Sequence, residues 1–400
     1  MLNPNEFPQA QPYDDHNQRL IGNVHPFDWI NPDPDGRCNM VVIGAGTAGL
    51  ITAAGTAGLG GKAALIERGL MGGDCLNVGC VPSKALIRAA RAAADVRAAG
   101  QFGVQVPDGM RIDFAAIMER MRRLRADIGQ HDSAERFSGL GMDVYMGSAR
   151  FTSPDTVEVD GKALKFARAC IATGSRALEL PIPGIADVDF LTNETVFSLT
   201  ELPQRLGVIG AGPIGCELAQ AFARFGSQVI LIEAMHGIMP HDETRAAEVV
   251  AKVMEQDGVK LRCCGKNLLI RKQADGIHLV VDSHGSHYDE VVDRLLLAVG
   301  RTPNVEGLNL EAAGVAYDKK GVQVNERLQT ANRRIYAAGD MISEITVAIA
   351  AGAGLGTIAR TIHPYPPQAE AIKKAGDAYN RTRLTPRVQK IFNTLLKWRR

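Results

Sequence analysis

The sequence lacks a dominant charge: Lys and Arg total 45 against 44 Asp and Glu, a net of +1. Nucleic acid or an anionic partner is therefore not expected as the main ligand. A disulfide framework is lacking too. The seven cysteines, an odd number spread irregularly over 400 residues, fit a reducing compartment, with cytoplasm as the default. The opening MLNPNEFPQAQPYDDHNQ has neither the basic region nor the apolar core of a leader, so none is expected. The run from Val41 to Gly60 has the length of a membrane span, but its glycines fall on a phosphate-loop pattern, and no span is expected there. No second Cys/His pair with ligand spacing follows Cys75 and Cys80, so no metal site is expected. What is abundant is glycine, 42 residues in a chain 46% apolar, which suits an α/β nucleotide-binding protein of two or three cores.

The centre of the chain is Gly72 to Lys84, GGDCLNVGCVPSK, which sets Cys75 and Cys80 five residues apart where a Gly-rich loop becomes a helix. A thiol at a helix N-terminus meets unpaired N–H groups and the positive end of the dipole, which favour its thiolate. A redox-active pair is the preferred reading; a structural disulfide and half of a zinc site are the alternatives.

Two further stretches read as strand, tight turn, helix and strand. In MVVIGAGTAGL the glycines are Gly44, Gly46 and Gly49, and the next strand, Ala63 to Ile66, ends in Glu67. In LGVIGAGPIGCELAQ they are Gly210, Gly212 and Gly215, and the following strand ends in Glu233. Such glycines permit the turn, close approach to a pyrophosphate and helix-on-strand packing, and the acid is placed for a ribose hydroxyl. Two fingerprints predict two dinucleotides. A carboxylate at Glu233 accepts bonds from a free ribose hydroxyl but repels a 2′-phosphate, which favours NADH over NADPH.

The remaining stretches read more plainly. Residues 1–37 show no periodicity and read as a surface extension. Helical regions are expected from Ala85 to about Ala99 and from Phe114 to about Phe137. The arginines of MERMRRLRAD, with acids interspersed at helical spacing, read as a solvated face. Cys170 and Cys216 read as small buried hydrophobes. Cys263 and Cys264, as neighbours on a strand, point apart and make an awkward shared metal ligand. The histidines of HLVVDSHGSHYDE read as hairpin residues.

GGDCLNVGCVPSK closely resembles the active-site segment of the FAD-dependent pyridine nucleotide-disulfide oxidoreductases, near their mercuric reductase and dihydrolipoamide dehydrogenase branch. The likeness implies an α/β fold of two Rossmann-like domains, the NAD domain inserted in the FAD domain. In residue terms that means an extension over 1–37, the FAD domain over 38–175 and 300–361, the NAD domain over 176–299, and a remnant of a dimerisation domain over 362–400. It also implies that Cys75 is the interchange thiol, that Cys80 lies against the flavin, and that Lys84 near the flavin pairs with Glu217. To FAD it assigns Gly44, Gly46, Gly49, Glu67, Gly73 and Asp74, with Thr173 and Gly174 of the ATG segment and Gly339 and Asp340 of the second flavin motif. To NAD it assigns Gly210, Gly212, Gly215, Glu233 and Gly300. The implied substrate is a disulfide or a soft metal ion, and the family's homodimer is implied as partner.

After Asp340 the resemblance changes character. Most of the dimerisation domain is expected to be missing, and Tyr365 and Glu370 fall where the family places the acid/base pair serving the partner subunit's thiol. Thr346 to Gly352 resemble a flavin-facing helix of smaller thioredoxin reductase-like proteins, so the segment 341–360 is expected to replace the lost flavin helix. The stripe Val388, Ile391, Phe392, Leu395 and Leu396 is expected to dock on the chain or a partner rather than on a membrane. Two other readings follow: a flavin-binding protein without turnover, and a membrane-associated NADH:quinone oxidoreductase.

Overall fold

The computed structural model describes residues 7–338. Gly339, Asp340, Tyr365, Glu370, the segment 341–360 expected to replace the flavin helix and the C-terminal stripe lie outside the described residues.

Two compact units divide the chain. One comprises Ile21–Gly73, Gly129–Ser175 and the described residues from Pro303; the other comprises the described residues up to Leu20, Asp74–Ile128 and Arg176–Thr302. The first is built on a parallel sheet in the order Asp143–Met146, Ala63–Glu67, Arg37–Ile43, Lys162–Ile171, Ile335–Ala337. Val41, Val42 and Ile43 are all buried, as in a parallel strand covered on both faces. Antiparallel strands Thr156–Val159 and Ala149–Ser153 extend this sheet from the Lys162 strand.

The second unit repeats the plan. Its parallel sheet runs Val259–Arg262, Gln228–Ile232, Arg205–Ile209, Arg294–Leu297, Phe190–Leu191. An antiparallel sheet of Lys266–Gln273, Gly276–Ser283 and Ser286–Val292 shares an apolar core with it through Leu279, Val281 and Leu295. The helix Cys80–Ala98 packs in this unit against the helix Pro213–Phe225. Phe114 meets the rings of Phe222 and Phe225, each at 5.9 Å between centroids. Each such buried ring contributes on the order of 2–3 kcal/mol. The cysteine-bearing segment is thereby tied to the second fingerprint's helix by apolar packing.

Three expectations are corrected. Residues 7–24 are no mere surface extension: a helix forms over Asp15–Val24, and Phe7, Ala10, Asn17 and Leu20 are buried. Scattered apolar side chains, Phe7, Ala10 and Leu20 among them, seat this segment between polar ones, a pattern too sparse to show as periodicity. The second helical region is broken, Phe114–Gly129 and Ala134–Gly139 being separate helices, the latter started by Ser133 accepting from the Arg136 N–H. The arginines of MERMRRLRAD do not share one solvated face: Arg123 is exposed, but Arg122 and Arg125 are buried.

The antiparallel sheet carries a pH-sensitive contact. His278 places Nε2 3.0 Å from Asp275 and Nδ1 2.8 Å from Asp289. These bonds, that to Asp275 first, hold the imidazole pKa above its ordinary value, and the same contact holds that of Asp275 below the usual carboxylate range. The imidazolium's stabilisation is complete below the ordinary histidine pKa of about 6.5 and is lost as pH rises through the raised folded value. The contribution of Asp275 persists above about 3.9 and is lost as pH falls through its depressed value. His278→Gln should therefore lower the melting temperature most at pH about 5 to 6 and progressively less on the alkaline side. A melting difference constant from pH 5 to 9 would refute this.

Candidate active site

The same loop is built twice. Gly44 and Gly210 both adopt φ +101°, in the left-handed region open to glycine. A Cβ at Gly44 would stand 2.2 Å from Ala172 O, and one at Gly210 would stand 2.3 Å from Ala298 O. At the helix starts, a Cβ on Gly49 would lie 1.8 Å from Gly44 O, and one on Gly215 would lie 2.0 Å from Gly210 O. Helix and loop thus touch through backbone alone. Gly46 and Gly212 cap the helices Thr47–Gly58 and Pro213–Phe225 in extended conformation, without a side-chain cap. First-turn N–H groups facing no capping side chain, beside backbone that only glycine allows, suit a pyrophosphate.

Each loop is locked by its acid. Glu67 accepts from the Ala45 N–H at 2.6 Å and the Gly69 N–H at 2.7 Å. Glu233 accepts from the Ala211 N–H at 2.8 Å and the Met235 N–H at 2.9 Å. Both carboxylates are half-buried. Each oxygen keeps a further lone pair, so the pair of carboxylates suits two ribose diols. The residues present therefore fit two dinucleotides.

Around the first loop, Gly73 adopts φ +57°, and a Cβ there would lie 2.6 Å from Gly46 Cα. The Gly-Gly that precedes the cysteines thus lies directly on the first nucleotide loop. Thr173 and Gly174 are held by Asn304: Thr173 Oγ1 donates to Asn304 O at 2.7 Å, Asn304 Nδ2 donates to Thr173 O at 2.9 Å, and Asn304 N donates to Gly174 O at 3.0 Å. Asn304, four residues after Gly300, is thus a site residue that the glycine patterns do not reveal. In the second unit Gly300 adopts φ +116° and accepts from the Leu178 N–H.

The cysteines stand on two helices. Cys75 lies half-buried in the short helix Gly73–Asn77, and Cys80 is exposed as the first residue of the helix Cys80–Ala98. The helix-terminus argument therefore falls on Cys80 rather than on Cys75. A Cβ on Gly79, the N-cap, would lie 2.8 Å from Asp74 O and 3.5 Å from Cys75 Cα. Only glycine lets the chain turn back so closely onto Cys75. One helical turn after Cys80, Lys84 Nζ donates to both carboxylate oxygens of Glu217 at 2.8 Å. The Asp74 carboxylate accepts from the guanidinium of Arg301, a partner that motif reading did not supply.

The other thiols differ. Cys170 and Cys216 are buried, and burial pushes both thiols up to about 12, which makes them poor nucleophiles. Cys263 is buried and likewise pushed up, whereas Cys264 is half-exposed with Sγ 3.4 Å from His236 Nδ1. Among the described residues no group of three or more His, Cys, Asp and Glu forms a metal cluster.

Two dinucleotide-binding folds with a cysteine pair at a helix start define the class: an α/β protein of the two-dinucleotide, dithiol type. The chain belongs to the pyridine nucleotide-disulphide oxidoreductases, whose sequence profile matches residues 38–354. That family is FAD-dependent and uses NAD(P)H, and its members are typically homodimers acting on small molecules. The chain is 34% identical over 308 residues to a mercuric reductase of Staphylococcus aureus, covering 77% of this chain and 56% of that one. It is 36% identical over 310 residues to a dihydrolipoyl dehydrogenase of Thermus scotoductus, covering 76% of this chain and 66% of that one. Among solved structures it resembles the HOCl-induced flavoprotein disulfide reductase RclA of Escherichia coli, with a TM-score of 0.65, 29% identity and coverage of 77% and 66%. The chain thus spans between about half and two thirds of the length of these relatives.

Proposed function

We propose that the chain is an NADH-preferring, FAD-dependent oxidoreductase that passes electrons through a Cys75–Cys80 disulfide to a disulfide or soft-metal substrate. The carrying observation is the loop-and-carboxylate geometry formed twice in a chain that also starts a long helix on Cys80. Gly44, Gly46, Gly49, Glu67, Gly73, Asp74, Thr173 and Gly174 would hold FAD; Gly210, Gly212, Gly215, Glu233 and Gly300 would hold NADH. When bound, FAD supplies two-electron exchange between a nicotinamide and a disulfide.

The chain's own groups have separable tasks. Cys80, at the positive end of its helix, keeps its proton off, and Cys75 attacks an incoming disulfide or binds a soft metal ion. The Lys84–Glu217 pair, net neutral in itself, holds the first turn of the Cys80 helix against the helix Pro213–Phe225. Tyr365 and Glu370 are proposed, by resemblance, to assist in an assembled homodimer. Cytoplasm is the proposed location; no described helix is long and apolar enough to cross a membrane. Both substrate classes are supported by the names of relatives, one a mercuric reductase and one a flavoprotein disulfide reductase.

The test is an anaerobic NADH titration of the purified protein. With about one NADH per flavin, a long-wavelength band from a thiolate beside oxidised flavin is the expected result, and flavin bleaching follows as more NADH is added; absence of flavin in protein refolded with FAD would refute the reading. Nucleotide preference is tested separately. Glu233→Ala removes a charged acceptor worth about 1.5–3 kcal/mol, so KM for NADH should rise roughly tenfold or more with kcat little changed. An unchanged ratio of NADH to NADPH efficiency would remove Glu233 from the discrimination.

A further inference from the structure

The segment 7–20 is fastened to the helix Phe114–Gly129 by polar contacts. Arg122 Nε donates to Asp14 at 2.6 Å, Arg19 pairs with Asp127, and His16 lies 3.7 Å from Glu119. At the centre is Arg125, with no exposed surface. Its Nη1 donates to Gln9 O at 3.0 Å and to Asn77 O at 2.7 Å, and its Nη2 donates to Asn17 Oδ1 at 2.7 Å. Asn17 is itself fully buried and is fixed by donating to Pro12 O at 2.8 Å. Burial, then the neighbouring Arg122, lowers the guanidinium to about 10, against an opposing pull from Asp14; it stays charged at neutral pH. Its Nε has no hydrogen-bond partner. Burying a guanidinium with one donor unsatisfied is costly, on the order of 1–3 kcal/mol for the unmade bond alone. A solvated arginine would avoid that cost, so the site calls for an account beyond helix stability.

Asn77 supplies one. It lies between Cys75 and Cys80, and its carbonyl is held by the same guanidinium that holds the 7–20 segment. Resting on the redox reading above, we propose that residues 7–20 form a strap which, through Arg125 as a positioning residue, fixes the Cys75-to-Cys80 turn and thereby sets the stability of its disulfide. A turn held at Asn77 keeps the two sulfurs at high effective concentration, which favours the disulfide over the dithiol. Freed, the same turn samples more conformations once reduced, and reduction becomes easier.

The experiment equilibrates the full-length protein in glutathione buffers. Reducing the pair breaks one Cys75–Cys80 S–S bond and oxidises two glutathione thiols to one glutathione disulfide. Acid quenching, alkylation and peptide mass analysis read the Cys75–Cys80 pair separately from the other five cysteines. Arg125→Met should make the pair easier to reduce by about tenfold in the half-reducing glutathione ratio, about 30 mV. Asn17→Ser, which leaves Arg125 in place, should move it the same way by roughly threefold, about 14 mV. Trp29→Phe, which removes the bond from Trp29 Nε1 to Val144 O in the other unit, should leave the ratio unchanged; an equal shift there would mean that general destabilisation, not the strap, sets it. If Arg125→Met does not fold, Asn17→Ser decides, and a ratio equal to that of the unsubstituted protein overturns the strap. If the unsubstituted protein forms no Cys75–Cys80 disulfide at any ratio, the redox reading itself falls and the strap with it.

Discussion

Cys80→Ser should leave flavin bleaching by NADH intact, abolish the long-wavelength band, and lower turnover of a disulfide substrate at least roughly a thousandfold, about 4 kcal/mol in barrier. Cys75→Ser should lose turnover as completely but keep the band. The asymmetry follows from where the sulfurs stand. Cys80 opens a helix of 19 residues, whose terminal N–H groups favour a standing thiolate, while Cys75 sits half-buried one turn of chain earlier. Exchange requires attack by one thiol and release by the other, so removing either stops the cycle. The measurements are anaerobic spectra and steady-state rates on both variants. Disulfide turnover within tenfold of the parent in either variant would exclude the pair as the route.

Gly49→Ala and Gly215→Ala should separate the two nucleotides. In each case the new methyl would meet a loop carbonyl at 1.8 Å or 2.0 Å, far inside contact distance, and backbone must move at a cost of about 1–3 kcal/mol. Displacing the loop also turns its N–H groups away from a phosphate. Gly49→Ala is expected to purify without FAD and to melt at lower temperature. Gly215→Ala should keep its flavin and raise KM for NADH by about a hundredfold, near 2.7 kcal/mol. Flavin content by absorbance and KM by initial rates check this. Loss of flavin from Gly215→Ala, with Gly49→Ala unaffected, would reverse the assignment of the loops.

Much of this was legible because it is local. Glycines at fixed spacing between an apolar strand and a helix describe a turn whose geometry is made by the residues themselves. Thus the sequence pattern singles out Gly44 and Gly210, with Glu67 and Glu233, and the structure gives them matching conformations and matching hydrogen bonds. The Lys84–Glu217 contact, by contrast, joins residues 133 apart, and only the family resemblance put the two together. Arg301 and Asn304 follow Gly300 closely, yet their partners Asp74 and Thr173 are remote in sequence, and nothing in their own spacing shows the pairing. Arg125 departs from the solvated face expected of a charge run at helical spacing because helical periodicity does not say which face a distant segment covers.

The sequence by itself determined the two glycine-rich strand–turn–helix loops, the parallel α/β class and the cysteine pair, because each rests on backbone restrictions and short-range periodicity. Tertiary structure alone decided that residues 7–20 are seated in the fold, that Arg125 is buried beneath the turn between the cysteines, and that the Cys80 helix packs on the helix of the second loop. Those outcomes depend on burial and on hydrogen-bond partners supplied from far along the chain, and the free energy of burying a charge is set by its surroundings rather than by its neighbours in sequence.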